Sequence, residues 1–327
     1  MVHSRRTLLT GSAAALAGLA GHRRLFAQGT PDASPASGET RIVHHAMGDT
    51  EVPVNPQRVV VLDGPPLDAC FILGVIPVGA TTGIQDAPWP EYLGDGTKDI
   101  VNVGDIAEPN LEKILALQPD LIISLKIRHE EIYPQLSQIA PTVFSEDTAS
   151  GWRDSFLIFA DALNRNDQVP GIVGAYEDRC AAIAGKLGDH LPETTVSIVR
   201  IVGDTLRNYQ LGSFSGSVLE DIGFPRPASQ LDPEASWIEL STEQFREVDA
   251  AYMFVCFYGD QDTADFSALA DSPLWNTLDV VKNNRVYYVP DDYWMVAIGY
   301  IAAGLMLDDI EKYIIEGAAP PPIPGVE

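Results

Sequence analysis

Four basic side chains lie where the chain leaves predicted buried strands, in a protein that is otherwise strongly acidic. The sequence has 21 Lys and Arg residues against 46 Asp and Glu residues, a formal net charge of −25. Lys126 and Arg128 directly follow an apolar run. Arg200 lies near the end of a later run, and Arg207 follows one loop beyond it. Guanidinium and ammonium groups at strand ends can bind an oxygen-rich anion. For each of these four residues, a surface salt bridge is an equally good interpretation.

Aromatic residues near these positions could form the walls of such a site. Tyr209 lies two residues after Arg207, and Trp89, Tyr258 and Trp294 are the other candidates. Flat apolar rings can line a ligand pocket, and they can equally well pack in the core. We therefore predict a ligand site formed by Lys126, Arg128, Arg200 and Arg207, with these four aromatic residues around it.

The sequence does not favour a site for a bare metal ion. Beyond the N-terminal region, the histidines are His44, His45, His129 and His190, without a His-rich segment. A zinc or manganese receptor needs several histidines and carboxylates that converge on one point. Adjacent residues of a strand project to opposite sides, so His44 and His45 are interpreted as surface residues.

Catalytic motifs are likewise missing from the sequence. Gly212–Gly216 reads GSFSG, and its central residue is Phe214 where a nucleophile elbow has serine. Phosphate-binding loops of the GxxxxGK type are also absent. The sequence has three cysteines in apolar segments without CxxC spacing, Cys70, Cys180 and Cys256. This pattern favours three buried free thiols, and one disulfide is the alternative. We predict no enzyme activity, no cofactor and no protein-bound metal.

The N-terminal residues form a typical export signal. Arg5 and Arg6 directly precede the apolar run 8–20, which is the twin-arginine pattern, and the run is too short to span a bilayer. We place cleavage after Ala27, although the basic residues 22–24 leave the exact bond open, and interpret 28–40 as a flexible linker. A buried N-terminal helix is the alternative. The mature protein is predicted to be a periplasmic or cell-envelope monomer that does not bind nucleic acid, because its acidic surface would repel phosphate.

The order of the predicted elements indicates an α/β protein with two lobes. A hairpin over 41–54 precedes strands at 58–63, 77–81, 120–125 and 142–144, which alternate with helices at 67–73, 111–117 and 132–139. After a helix at 152–163, apolar residues recur at helical spacing over 167–187. This long helix predicts a rigid connector, with an ordinary covering helix as the alternative. A second block follows, with strands at 196–202, 251–257 and 286–289 and helices at 217–222, 242–248 and 297–315.

Seven short motifs, in order, resemble those of the periplasmic iron-siderophore and vitamin B12 binding proteins. They are NPQRVVVL (55–62), LGVIPVG (73–79), GDIAEPNLEKI (104–114), QPDLII (118–123), GSFSGSVL (212–219), PLW (273–275) and KNNRV (282–286). This resemblance covers nearly the whole mature chain. It implies two Rossmann-like lobes, here 41–166 and 190–327, bridged by one long helix over 167–189 with the ligand between them.

The resemblance also implies a function and partners. A chain of this family delivers a ferric siderophore, an iron chelate, to the membrane subunits of an ABC importer, and cobalamin or haem are alternative ligands of the same scaffold. One glutamate on each lobe docks onto arginines of the importer, and the matching positions are Glu112 and Glu243. Capping of a helix by each glutamate is the alternative, and both roles can hold together. The Arg-His-Glu stretch at 128–130 resembles receptors for hydroxamate or citrate siderophores, so a siderophore of this type is expected, with Arg128 as the first candidate ligand residue and Arg207 as the second. However, Ile106 stands where some hydroxamate receptors have arginine. A twin-arginine-exported enzyme is the alternative from another class.

Overall fold

The computed structural model describes residues 38–83, 89–146, 149, 151–203, 205–258 and 273–321. The predicted export signal and most of the predicted linker lie outside these residues. Among the described residues, no helix is long and apolar enough to cross a membrane.

The first lobe is built on a parallel sheet with the strand order β5-β4-β3-β6-β7. Its strands are β3 (Val59–Val61), β4 (Gly79–Thr82), β5 (Val101–Asp105), β6 (Leu121–Leu125) and β7 (Thr142–Ser145). Every residue of β3, β4, β6 and β7 is buried, as expected for strands covered on both faces. The predicted strands are confirmed. The sequence had not indicated β5, whose polar residues Asn102 and Asp105 interrupt the apolar pattern.

Four helices and two 3₁₀ segments connect these strands. The helices are α1 (Gly64–Ile72), α2 (Leu111–Ala116), α3 (Lys126–His129) and α4 (Tyr133–Ile139), and the 3₁₀ segments are Glu91–Thr97 and Glu130–Ile132. Helix α1 starts directly after β3, with Asp63 as its N-cap, and α3 starts directly after β6. The first turns of both helices therefore lie at the carboxyl edge of the sheet.

A hairpin of β1 (Thr40–His45) and β2 (Gly48–Pro53) covers the edge strand β7. The amide of Ala46 donates to the carbonyl of Phe144 at 2.9 Å, and the amide of Phe144 donates to His45 Nδ1 at 3.2 Å. Thr50 Oγ1 also donates to the carbonyl of Thr142 at 3.1 Å. These bonds satisfy edge groups that would otherwise be open to another strand.

Two helices lead from the first lobe to the second. Helix α5 (Trp152–Ala162) packs on β7, and α6 (Val169–Leu187) spans 19 residues, about 28 Å at 1.5 Å per residue. It ends at Gly188, whose positive φ of 51° stops the helix. The sequence-predicted long helix between the two sheets is therefore present.

The second lobe contains a mixed sheet, whereas the sequence predicted a second block like the first. The strand order is β10-β9-β8-β11-β12, with β8 (Val196–Val202), β11 (Tyr252–Phe257) and β12 (Val286–Tyr288) parallel. Strands β9 (Thr205–Tyr209) and β10 (Trp237–Leu240) run antiparallel to their neighbours. Only two residues separate β8 from β9, too few for a parallel crossover, so the pair is a hairpin.

Among the described residues of the second lobe, the helices are α7 (Phe214–Ile222), α8 (Asp279–Lys282) and α9 (Tyr300–Ile310). Short 3₁₀ segments lie at Ala228–Gln230, Thr242–Val248 and Trp275–Thr277, and π-helical turns at Asp292–Val296 and Glu311–Ile315. The predicted helix over 297–315 starts three residues later than expected, because Ile298 has a φ of +47° and Gly299 is extended.

The two lobes share one continuous core behind the strand ends. The ring of Tyr300 in α9 lies 4.8 Å from that of Trp152 and 4.7 Å from that of Phe156, both in α5. Asp68 in α1 accepts the amides of Ile301 and Ala302 at 3.2 and 3.0 Å, so a carboxylate of the first lobe caps a helix that follows the second. The thiols of Cys70, Cys180 and Cys256 are free and buried, as predicted.

Candidate ligand-binding cleft

Arg128 and Asp63 form an ion pair at the carboxyl edge of the first sheet. Strands β3 and β6 are neighbours, so Asp63 after β3 and Arg128 in α3 come together although they are 65 residues apart. Arg128 Nε donates to Asp63 Oδ2 at 3.3 Å. The carboxylate is 4% exposed and the arginine side chain 52% exposed. The rest of the guanidinium therefore has donors free to face solvent or a ligand.

Burial raises the pKa of the Asp63 carboxyl above its ordinary value, and Arg128 and the amide of Gly64 partly offset this rise. The amide of Gly64 donates to Asp63 Oδ1 at 2.7 Å. Removal of Arg128 would leave this buried carboxyl without its cationic partner, which is unfavourable for the ionised form.

The other predicted residue of this edge, Lys126, is engaged elsewhere. Its ammonium donates to the Glu146 carboxylate at 2.8 Å, and both side chains are partly exposed. The surface salt bridge left open by the sequence is therefore present at Lys126. A ligand would have to displace Glu146 to use this ammonium fully.

Arg200 is the centre of a polar cluster in the second sheet. It pairs with Asp291, which follows β12: Nε donates to Oδ1 at 2.6 Å, and Nη2 donates to Oδ2 in a second contact. Nη1 donates to the Tyr209 hydroxyl at 3.4 Å, and the guanidinium lies 4.6 Å from the ring centroid of Tyr258. Burial alone would lower the pKa of Arg200, but the Asp291 carboxylate raises it overall. The structure thus brings together Arg200, Tyr209 and Tyr258.

Arg207 lies in β9, directly opposite Arg200 of β8. Directly opposed residues project from the same face of a sheet, so the two guanidinium groups are neighbours. Arg207 stacks over Trp237 with its Cζ 4.1 Å from the ring centroid. No acidic residue in the described part of the chain lies within ion-pair distance of Arg207, and its Nε is buried without a hydrogen-bond partner there. It is the basic group of this sheet best suited to accept an added anion.

Tyr258, Trp89 and Trp294, which were predicted to line the ligand site, have different environments. Tyr258 is 48% exposed, and Trp89 is half-buried against the core. Trp294 is 0% exposed; its ring stacks on Phe254 at 4.5 Å, and its Nε1 donates to Asp309 at 2.9 Å. The wall role expected for Trp294 is therefore corrected: it is a core residue, because the π-helical turn points its ring inward.

Glu112 and Glu243 lie in the first turn of one short helix on each lobe. Glu112 is exposed in α2, whose N-cap Asn110 accepts the amide of Lys113 at 2.9 Å. Glu243 is exposed in the 3₁₀ segment Thr242–Val248, which Ser241 and Gln244 close with a capping box. Because other residues cap both helices, the two glutamate carboxylates are free of the capping role that the sequence left open.

Sequence reasoning missed three residues that hold the candidate site: Asp63, Asp291 and His129. Asp63 and Asp291 each follow a strand of their sheet, so the strand-end rule that selected the arginines would also have selected them. His129 is 2% exposed and bonded on both ring nitrogens, a position that its neighbours in sequence do not reveal.

Comparison with known proteins places this architecture in a family. Residues 59–293 match the family model described as periplasmic binding protein. This chain belongs to the periplasmic binding protein family. Its relatives are substrate-binding proteins with two lobes and a long bridging helix, the architecture that the sequence predicted for this chain. The matched residues include the five strands of each sheet from β3 to β12, helix α6, and the residues around Arg128 and Arg200.

Individual periplasmic binding proteins are similar over nearly the whole chain. A probable siderophore-binding lipoprotein, YfiY, of Bacillus subtilis is 38% identical over 86% of this chain and 90% of its own length. The achromobactin-binding periplasmic protein of Dickeya dadantii is 31% identical over 79% of this chain and 86% of its own. The crystal structure of Staphylococcus aureus SirA complexed with staphyloferrin B superposes with a TM-score of 0.76 at 34% identity, covering 84% of this chain and 99% of that one.

Proposed function

We propose that this chain is an extracytoplasmic receptor that binds a ferric siderophore and delivers it to the membrane subunits of an ABC importer. The observation that carries the proposal is the pair of neighbouring arginines in the second sheet, Arg200 and Arg207, each over an aromatic ring. Fixed guanidinium donors beside aromatic faces suit an oxygen-rich anionic chelate.

The choice of cargo is supported by the relatives. YfiY is named as siderophore-binding, the Dickeya protein as achromobactin-binding, and SirA is complexed with staphyloferrin B. A second B. subtilis relative, 30% identical, is named as Fe(3+)-citrate-binding. An anionic chelate of this kind fits Arg128, Arg200 and Arg207 as its donors, with Tyr209, Tyr258 and Trp89 nearby and Lys126 in a supporting position. The chelate is cargo, and the protein needs no resident cofactor to bind it.

The proposal is of a monomeric binding protein without catalytic activity. Membership of a substrate-binding family supports it, and the described residues contain no group of three or more His, Cys, Asp and Glu residues that could hold a metal ion. Cobalamin or haem on the same scaffold would instead favour a large apolar surface over paired arginines.

Docking to the importer would use Glu112 and Glu243. Both carboxylates are exposed in a first helical turn, one on each lobe, where a paired arginine of the membrane subunits could reach them. Exposed charges of this type raise the rate of encounter more than the affinity.

Tryptophan fluorescence of the full chain tests the proposal. The titrants are ferric staphyloferrin B, ferric achromobactin, ferric citrate, cobalamin, haem and zinc. We expect saturable quenching by at least one ferric chelate, since Trp237 lies directly under Arg207. Quenching by haem, cobalamin or zinc alone would contradict the proposal.

A further inference from the structure

His129 connects two parts of the first lobe that the proposed function uses separately. It is the last residue of α3, next to Arg128, and it is buried. Its Nε2 lies 2.7 Å from the carbonyl oxygen of Ile106, and its Nδ1 lies 2.6 Å from Ser124 Oγ. Ser124 belongs to β6, and Ile106 to the turn after β5.

The partners of the ring determine its protonation. A carbonyl oxygen only accepts, so Nε2 carries the hydrogen and donates to Ile106. Nδ1 is then unprotonated and accepts the hydroxyl of Ser124. Burial lowers the pKa of His129, and Arg128 acts in the same direction, whereas the Ile106 carbonyl acts against them. A neutral imidazole with both nitrogens bonded has a fixed orientation, and so does the short helix that carries it.

The turn that receives the bond from His129 is rigid and leads directly to Glu112. The amide of Glu108 donates to Asp105 Oδ1 at 2.7 Å, and the amide of Asn110 donates to the Val103 carbonyl at 2.7 Å. Gly104 has a φ of +115°, and a Cβ there would lie 2.7 Å from the carbonyl oxygen of Glu108. A displacement of Ile106 therefore moves the start of α2, because the turn cannot absorb it.

We propose that His129 is a positioning residue that ties the arginine-bearing helix α3 to the turn leading into the docking helix α2. Through this link, ordering of α3 by a bound chelate also orders the residues before Glu112. The inference rests on the proposed function, in which Arg128 binds the chelate and Glu112 meets the importer.

Two conservative variants separate the two bonds of the ring. His129→Gln places an amide nitrogen near the position of Nε2, so it retains the bond to Ile106 and loses the acceptor for Ser124. His129→Asn places an amide near Nδ1, so it retains the bond to Ser124 and is too short to reach Ile106. A general loss of packing would affect both variants alike.

Hydrogen exchange of the full chain, followed over 106–114 and 126–132, measures the link. Without ligand, we expect exchange over 106–114 to be about threefold to tenfold faster in His129→Asn than in the wild type, the change expected for one lost hydrogen bond. His129→Gln should stay near the wild type in that segment. When ferric staphyloferrin B is bound, exchange should slow over both segments in the wild type and in His129→Gln. In His129→Asn it should slow only over 126–132.

Equal exchange over 106–114 in the two variants would overturn the inference, as would a wild type that binds the chelate without protection there. The ligand-free comparison decides the link even when ferric staphyloferrin B does not bind. A wild type that binds none of ferric staphyloferrin B, ferric achromobactin and ferric citrate would instead count against the proposed function, so the two failures are distinguishable.

Discussion

Each of the two arginines at the sheet edges shares its charge with one carboxylate, whereas Arg207 has an aromatic partner. Asp63 holds Arg128, and Asp291 holds Arg200. An anionic ligand must share these two guanidinium groups with internal acids. Arg207 forms no ion pair among the described residues, and Glu239, its partner across the sheet, is exposed. At the scale of single residues, Arg207 is therefore expected to contribute most to affinity.

Arg207→Ala is predicted to weaken binding of ferric staphyloferrin B by about 10- to 100-fold, since a hydrogen bond to a charged group contributes about 1.5–3 kcal/mol. Arg285→Ala is the matched control: Arg285 also lies over a ring, that of Tyr252 at 5.0 Å, but at the amino end of β12. Isothermal titration measures both. An equal loss of affinity in the two variants would show that the site is not at the carboxyl edge.

The strand-end rule found Arg128 and Arg200 from the sequence because Arg128 follows one long apolar run and Arg200 lies near the end of another. It placed Arg207 one loop beyond the Arg200 run and assigned no strand there, since TLRNY alternates without a clear apolar face and its partner strand is antiparallel. Trp294 could not be assigned to the core because its orientation depends on a π-helical turn, which the sequence does not reveal. The resemblance indicated Glu112 and Glu243 as proposed docking residues, and the structure adds that both are exposed.

At the scale of elements, the hairpin β1-β2 protects the edge of the first sheet through one imidazole. His45 Nδ1 accepts the amide of Phe144, and Nε2 lies 2.8 Å from Thr50 Oγ1, which donates to the Thr142 carbonyl. Protonation of Nδ1 would abolish the first bond. Burial lowers the pKa of His45 below its ordinary value of 6.5, and the charge of Asp49 partly offsets this shift.

A lowered histidine pKa means that the unfolded chain binds the proton more readily than the folded one. The stability that His45 contributes is therefore present above about pH 6.5 and is lost as the pH falls through its lowered pKa. His45→Asn keeps an acceptor but does not titrate, so its thermal unfolding temperature should fall less than that of the wild type between pH 7.5 and 5.

His44→Asn is the control for the hairpin prediction. His44 is exposed beside Asp49, whose hydrogen bond and charge raise its pKa, so any contribution has the opposite sign. An identical pH dependence in the wild type and His45→Asn would contradict the role assigned to His45.

Helix α9 depends on a carboxylate from α1 for its first turn. Gly299, its N-cap, has no side chain, and Asp68 Oδ1 lies 2.2 Å from where a Cβ at this position would stand. Burial raises the pKa of Asp68 to about 7, although the amides of Ala302, Ile301 and Tyr300 partly offset the rise. The partner amides are more than 230 residues away in sequence, so the pattern around Asp68 gave no indication of this role.

A raised carboxyl pKa means that the folded chain holds the proton more tightly than the unfolded one. The stability linked to Asp68 is therefore present at low pH and is lost as the pH rises through about 7. The free energy of unfolding of the wild type should fall relative to that of Asp68→Asn by about 1.4 kcal/mol per pH unit between about pH 4 and pH 7, and the difference should level off above pH 7. Urea unfolding at about pH 4.5, 5.5, 6.5 and 8 measures it, and a constant difference over the three lower pH values would contradict the assignment.

At the scale of the whole molecule, the shared core behind the strand ends limits the motion between the lobes. Trp152, Tyr176 and Tyr300 pack edge to face across α5, α6 and α9, and Arg153 and Tyr176 both contact Asp221 of α7. We therefore expect a bound chelate to change the distance between Glu112 and Glu243 only slightly. Recognition by the importer would then depend on both glutamates at a nearly fixed separation.

The double variant Glu112→Ala, Glu243→Ala is predicted to abolish uptake of the ferric chelate while its affinity for the chelate remains unchanged. The control is the double variant Asp99→Ala, Glu220→Ala, which removes two exposed acids from the same lobes. Uptake by cells that carry the importer and titration of the purified chains measure the two properties. A loss of chelate affinity in the glutamate variant would contradict the docking role.

The central claim is that the cargo is a ferric chelate, and isothermal titration with one chelate in two forms tests it most directly. The full chain is titrated with ferric staphyloferrin B and, separately, with the iron-free compound. The proposed receptor should bind the ferric form saturably and the iron-free form at least about tenfold more weakly, because iron holds the chelate oxygens in one arrangement before binding. Equal affinity for the two forms would contradict the claim. So would saturable binding of haem or cobalamin by a chain that binds none of ferric staphyloferrin B, ferric achromobactin and ferric citrate.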